Sequence, residues 1–240
     1  MKVDLTPGYI LHHRAYRETS LLLDVFSQDH GRVSLIAKGV RNKKRSQQGQ
    51  FQLYQPLLLS WLVGYGELHT VNASEVMGPR YLLKENSTLC GLYLNELLVR
   101  LLPLNEAEPD IFNAYQLALA GLQAEQDNEI VLRLFEKRLL TQLGYGLILE
   151  YEAISGDKIT EHQQYYYQPD LGLLPWQQGL SHATISGRSL QHLFNEAGFD
   201  QQSLQEIKQL MRSVINHYLG GKPLQSRQLF AQLQTYANKH

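Results

Sequence analysis

Eight cations stand within 32 residues near the start of this chain: Arg14, Arg17, Arg32, Lys38, Arg41, Lys43, Lys44 and Arg45. Only Glu18, Asp24 and Asp29 oppose them there. Guanidinium and ammonium groups strung along an extended segment suit the pairing of charge with a run of phosphates. In the stretch from Arg32 to Lys38, residues 33, 35 and 37 are apolar and 32, 34 and 38 polar, so Arg32 and Lys38 fall on the wet face of a strand. Arg41 to Arg45 continue into residues 39–52, where almost nothing can bury, which predicts a long charged loop. Tyr16 or Phe51, near the same face, could stack on bases. The same composition would also serve a loop that is merely solvated.

A second candidate lies on a helix expected over residues 128–143. Val131, Phe135 and Leu139 form its core stripe, and Arg133 lies off that stripe beside Leu134. Arg133, Lys137 and Leu140 follow one side about a turn apart. A cation beside an apolar wall could receive a C-terminal carboxylate that follows an apolar residue. On the sequence alone a surface arginine paired to Glu129 or Glu136 is the commoner arrangement, and Lys137 or Arg138 could take the receptor role instead.

Catalytic signatures are missing. Gly220-Gly221-Lys222-Pro223 has a lysine but not the spacing of a phosphate-binding loop, and neither a Gly-x-Ser-x-Gly elbow nor a His-Glu-x-x-His pair occurs. His12 and His13 are adjacent on a strand and point to opposite faces. No catalytic residue, metal site or cofactor is expected.

The elements that must position these residues fall into two regimes. Residues 8–14, 20–27, 32–38, 54–63 and 67–77 read as strands, and five short strands in so little chain suggest a closed barrel. From about residue 84 the period becomes helical, with helices over 86–102, 110–125, 128–143, 186–196, 203–219 and 226–233. Residues 145–175 are irregular and read as a β-containing insertion. Gly78-Pro79 marks the joint, giving one domain over 1–80 and another over 81–240. Charge divides the same way: 1–80 carries ten Lys/Arg against six Asp/Glu, and 81–240 twelve against seventeen. The positive head implies an anionic partner. One cysteine, Cys90, and no apolar run at the N-terminus imply a cytoplasmic protein without disulfides or a membrane span.

Several segments resemble the RecO recombination-mediator family. They are Glu18-Thr19-Ser20 through Ser27 followed by Gly31-Arg32-Val33, then Ala37-Lys38-Gly39-Val40-Arg41, Leu92-Tyr93-Leu94-Asn95-Glu96-Leu97-Leu98, Phe135-Glu136 with Leu143-Gly144-Tyr145-Gly146, and Gly220-Gly221-Lys222-Pro223-Leu224 with Ser226-Arg227. The set occurs in order along nearly the whole chain. The resemblance implies an α+β protein, an N-terminal OB-fold barrel followed by a mainly helical domain. It implies binding of single- and double-stranded DNA, annealing of complementary strands, contact with the C-terminal tail of single-stranded DNA-binding protein (SSB), and, with RecR, loading of RecA onto coated strands in the nucleoid. By motif, the DNA-contacting cations fall on Lys38 and Arg41 and the tail-binding arginine on Arg133. Many members carry a four-cysteine zinc module, but no cysteine lies between 145 and 175 here. No zinc is therefore expected, with Tyr151, Tyr165, Tyr167 and Leu173 packing in its place. The alternative is an OB-fold RNA-binding protein with a helical scaffold.

Overall fold

The structure is a computed structural model that describes residues 2–41, 48–145, 147–179 and 183–237. It is an α+β protein: a five-stranded barrel, then six helices with a small sheet among them. The strands are β1 (Lys2–Tyr16), β2 (Ser20–Ser27), β3 (Gly31–Ala37), β4 (Leu57–Leu62) and β5 (Leu68–Val76), closed in the order β1-β2-β3-β5-β4. Alternation drives this closure. Leu21, Leu23 and Val25 of β2 and Val33, Leu35 and Ala37 of β3 face inward, with Leu57, Leu59 and Trp61 of β4 filling the interior. β3 and β5 close the barrel as a parallel pair, Ser34–Ile36 against Leu68–Thr70.

β1 is about twice as long as its sequence pattern suggests. Its first half, from Lys2 to Gly8, pairs with β4, and its second half, from Gly8 to Tyr16, with β2. Asp4, Thr6 and Pro7 obscure the period, and the registers shift between Val3 and Thr6 and between Ile10 and His12.

The helices are α1 (Glu85–Leu101), α2 (Pro109–Gln123), α3 (Asn128–Gln142), α4 (Gly187–Asn195), α5 (Gln201–Tyr218) and α6 (Gln225–Ala237). Capping chemistry explains several starts. Asp127 accepts from Glu129 N ahead of α3, and Asp200 and Ser203 form a reciprocal box ahead of α5. β6 (Gln164–Gln168), β7 (Gly172–Pro175) and β8 (Thr184–Ser186) form a three-stranded antiparallel sheet in the order β7-β6-β8. Tyr165 and Leu173 are buried there and Tyr167 half-buried, whereas Tyr151 is exposed and contributes no core.

The chain forms two compact units. One comprises residues up to Ala124 together with those from Leu224 onward; the other runs from Glu125 to Pro223. The first unit therefore includes α1, α2 and α6 as well as the barrel, whereas the change of period and charge falls near residue 80. Within it, Tyr9 and Phe26 on the barrel pack against Phe112 and Tyr115 of α2. Asn95 of α1 donates to Leu11 O at 2.8 Å and accepts from the Tyr115 hydroxyl at 2.6 Å, which fixes α1 against β1. Glu96 of α1 accepts from the backbone nitrogens of Gln225 and Ser226 and so caps α6. No helix among the described residues is long and apolar enough to cross a membrane.

Candidate nucleic-acid interface

Strand register gathers part of the basic set at one end of the barrel. Tyr16 pairs with Ser20 across the Arg17-Glu18-Thr19 turn, and Leu21 pairs with Ala37 at the end of β3. The segment after β3 is tied to that turn. Arg41 N donates to Thr19 O at 2.9 Å, and Arg41 Nη1 donates to Arg17 O at 3.3 Å. Arg17 adopts φ 48°, a left-handed conformation that side chains disfavour and that the surrounding bonds must hold.

Arg14, Tyr16, Arg17, Lys38 and Arg41 thus share one end of the barrel. Arg14, Arg17 and Lys38 are exposed, and Arg41 and Tyr16 half-buried. The Arg17 guanidinium lies 5.2 Å from the centroid of the Tyr16 ring. Cations around a ring can attract a phosphate backbone and stack a base.

Other members of the expected set lie elsewhere. Arg32 is not free: its Nε donates to Leu102 O at 3.1 Å, and Nη1 stands 3.9 Å from Asp24. Its strand parity does place it outside the barrel, but the C-terminal end of α1 arrives over that position and takes the guanidinium. Phe51 is buried in the barrel core and cannot stack on a ligand. Lys43, Lys44 and Arg45 lie outside the described residues. His12 faces Asp24 at 3.6 Å. His13 lies on the opposite face, where burial and, secondarily, the neighbouring His12 favour its neutral form. Among the described residues no group of three His, Cys, Asp or Glu side chains could hold a metal ion.

The α3 set does not form an open, cation-rimmed pocket. Arg133 is 3% exposed and Glu136 is 0% exposed. Arg133 Nη2 donates to Glu136 Oε1 at 2.9 Å, while its Nε and Nη1 have no hydrogen-bond partner among the described residues. The expectation of an accessible Arg133 fails because α3 is buried on more than the Val131–Phe135–Leu139 stripe: Leu132 and Leu140 are buried as well. A charged group enters such a face only with a counter-charge, here three residues on. Leu134 is half-buried. Lys137 donates to Phe194 O at 2.9 Å and to Glu196 at 3.1 Å, and Arg138 donates to Glu196 at 2.7 Å. Burial opposes ionisation of Glu196, but these two cations outweigh it and lower its pKa.

Sequence reading missed a groove beside β1 in the first unit. It encloses about 570 Å³ between β1, α1 and α6, with apolar walls that include Leu53, Leu92, Val99 and Leu229. Its walls are brought together from distant parts of the chain, and no local spacing announces it.

Comparison with known proteins bears on the whole chain. Residues 1–80 match the family described as Recombination protein O N terminal, and residues 86–228 match Recombination protein O C terminal. A protein of Nitrosococcus oceani named DNA repair protein RecO is 42% identical over 239 residues, covering 99% of this chain and 97% of its own. Proteins of the same name from Methylococcus capsulatus and Coxiella burnetii are 42% and 41% identical, each over 95% of this chain and over 93% and 98% of their own. Two adjoining family matches in the family's order, with relatives alike over nearly their full length, establish that this chain belongs to the recombination protein O family.

Proposed function

We propose that this protein is a recombination mediator in DNA repair, working in the cytoplasm at the nucleoid and performing no covalent chemistry. It binds single- and double-stranded DNA, anneals complementary strands and, with RecR, helps to load RecA onto strands coated by SSB. The names of its relatives support the repair role. The observation that carries the binding is the cluster of Arg14, Arg17, Lys38 and Arg41 around Tyr16.

Phosphate attraction brings two strands to one surface and lowers their mutual repulsion, the physical requirement for annealing. Contact with the SSB tail rests on the family resemblance. On α3, Leu134, Lys137 and Arg138 are the groups nearest to solvent that could meet an acidic, apolar-ended peptide, while Arg133 and Leu140 hold the helix from within.

The test is a salt titration of oligonucleotide binding by the wild type and by a variant with Arg14, Arg17, Lys38 and Arg41 changed to Ala. Each lost phosphate contact should lower the logarithmic salt slope by about 0.7–0.9. An unchanged slope removes this end of the barrel from the interface. Tighter binding to RNA than to DNA of the same sequence would favour the RNA-binding alternative. Annealing measured with and without SSB tests the mediator role.

A further inference from the structure

We propose that the groove beside β1 receives one unpaired base of a bound single strand, so that the strand passes from the basic barrel end along β1 and turns a base inward at His12. This rests on the nucleic-acid reading above and adds a second contact to it.

Position is the first support. His12, Arg14 and Tyr16 pair with Asp24, Leu22 and Ser20 and share the outer face of β1. Alternate side chains on a strand stand about 6.6 Å apart, close to the interval between phosphates of an extended nucleic-acid chain. This row starts at the barrel end and finishes at His12, which lines the groove.

Charge is the second. Arg100 also lines the groove, 3.9 Å from a Glu96 oxygen. The Glu96 carboxylate is itself engaged by the start of α6, accepting from Gln225 N at 2.8 Å, Ser226 N at 2.9 Å and the Ser226 hydroxyl at 2.6 Å. That carboxylate lines the groove as well, so the mouth is balanced rather than net positive, and Arg100 supplies one guanidinium within reach of a phosphate there.

Shape is the third. Some 570 Å³ between aliphatic walls has room for a flat base, and such walls accept either face of any base. The floor is fixed by the Asn95 bonds to Leu11 and Tyr115. An acidic peptide with an apolar side chain would meet the same charges. The row of His12, Arg14 and Tyr16 leading to the mouth favours the nucleic-acid strand.

The test uses the full chain with Val99→Trp, which fills the groove, and separately Leu229→Glu, which places a carboxylate in it. Both positions reach solvent, so the core is spared, and melting temperature checks folding. Ligands are a labelled oligothymidylate, the corresponding duplex, and a single strand containing 2-aminopurine. Each variant should lose about fivefold in single-strand affinity, the low end of a base–aromatic contact, because the walls are aliphatic. Duplex affinity should be unchanged, and the rise in 2-aminopurine emission on binding should disappear. Wild-type single-strand affinity in both variants, or an equal loss for duplex, overturns the proposal. Loss of binding to an acidic, apolar-ended peptide with single-strand binding intact assigns the groove to a peptide instead. The two readings fail separately: a wild type that binds no strand retires the nucleic-acid reading itself, whereas strand binding kept by both variants retires the groove alone.

Discussion

Removing the counter-charge of Arg133 should destabilise the protein far more than a surface substitution would. In Glu136→Ala the guanidinium keeps its burial and loses the hydrogen bond to Glu136 Oε1 at 2.9 Å. Breaking a buried pair from one side typically costs about 3–5 kcal/mol. The lower end applies here, because two Arg133 nitrogens, Nε and Nη1, already lack acceptors among the described residues and the native pair is imperfectly satisfied. At roughly 2–4 °C per kcal/mol for a chain of this size, Glu136→Ala should melt about 6–12 °C lower. The double variant Arg133→Met/Glu136→Leu removes both charges while keeping apolar volume, and should recover most of that loss. Thermal unfolding followed by circular dichroism measures all three proteins. A double variant as unstable as the single, or a single variant that melts with the wild type, would refute the reasoning and return Arg133 to the surface.

Other outcomes follow from named contacts. Tyr16→Ala should lower single-strand affinity by about 1–3 kcal/mol, the value of one stacked base, and spare duplex binding; equal losses in fluorescence anisotropy would count against stacking. Burial opposes ionisation of Glu206, but bonds from Ser186, Gln202 and Ser189 outweigh it and hold its pKa below the ordinary 4.5. Its contribution is therefore complete above that value and is lost as pH falls through it toward the folded-state value. Urea midpoints should drop more steeply with acid in the wild type than in Glu206→Gln, and parallel curves would remove Glu206 from the acid response. Gly31 sits at φ +64°, and an added Cβ would collide with the Glu106 carbonyl oxygen, so Gly31→Ala should cost about 2–3 kcal/mol by urea unfolding; a wild-type midpoint would contradict the clash. A chelator should leave the melting temperature unchanged, and one equivalent of tightly held zinc in the purified protein would overturn the zinc-free expectation.

The barrel was legible because β2 and β3 alternate cleanly, with Leu21, Leu23, Val25 and Val33, Leu35, Ala37 turned inward. The first half of β1 was not, since Pro7 and Asp4 read as a turn and only pairing with β4 makes them strand. β8 is three residues long and carries no period. At the site, Arg14, Tyr16, Arg17, Lys38 and Arg41 could be found from local charge and parity. The fate of Arg32 could not, because Leu102 O comes to it from 70 residues away. Arg133 misled for a related reason: a helical wheel finds the apolar stripe but not how many neighbours surround the helix.

The discontinuity of the first unit sets an order of events during synthesis. The barrel, α1 and α2 leave the ribosome early, but α6, whose start is held by Glu96, is translated only after the whole second unit. Until then the nascent chain must carry α1 with Tyr93 and the Glu96 carboxylate lacking their α6 partners Arg227 and Ser226. The segment from Glu125 to Pro223 is in effect a guest inserted into an earlier host, and the host is completed last. Premature termination near Pro223 would thus damage the amino-terminal unit, at a distance in sequence from the lesion.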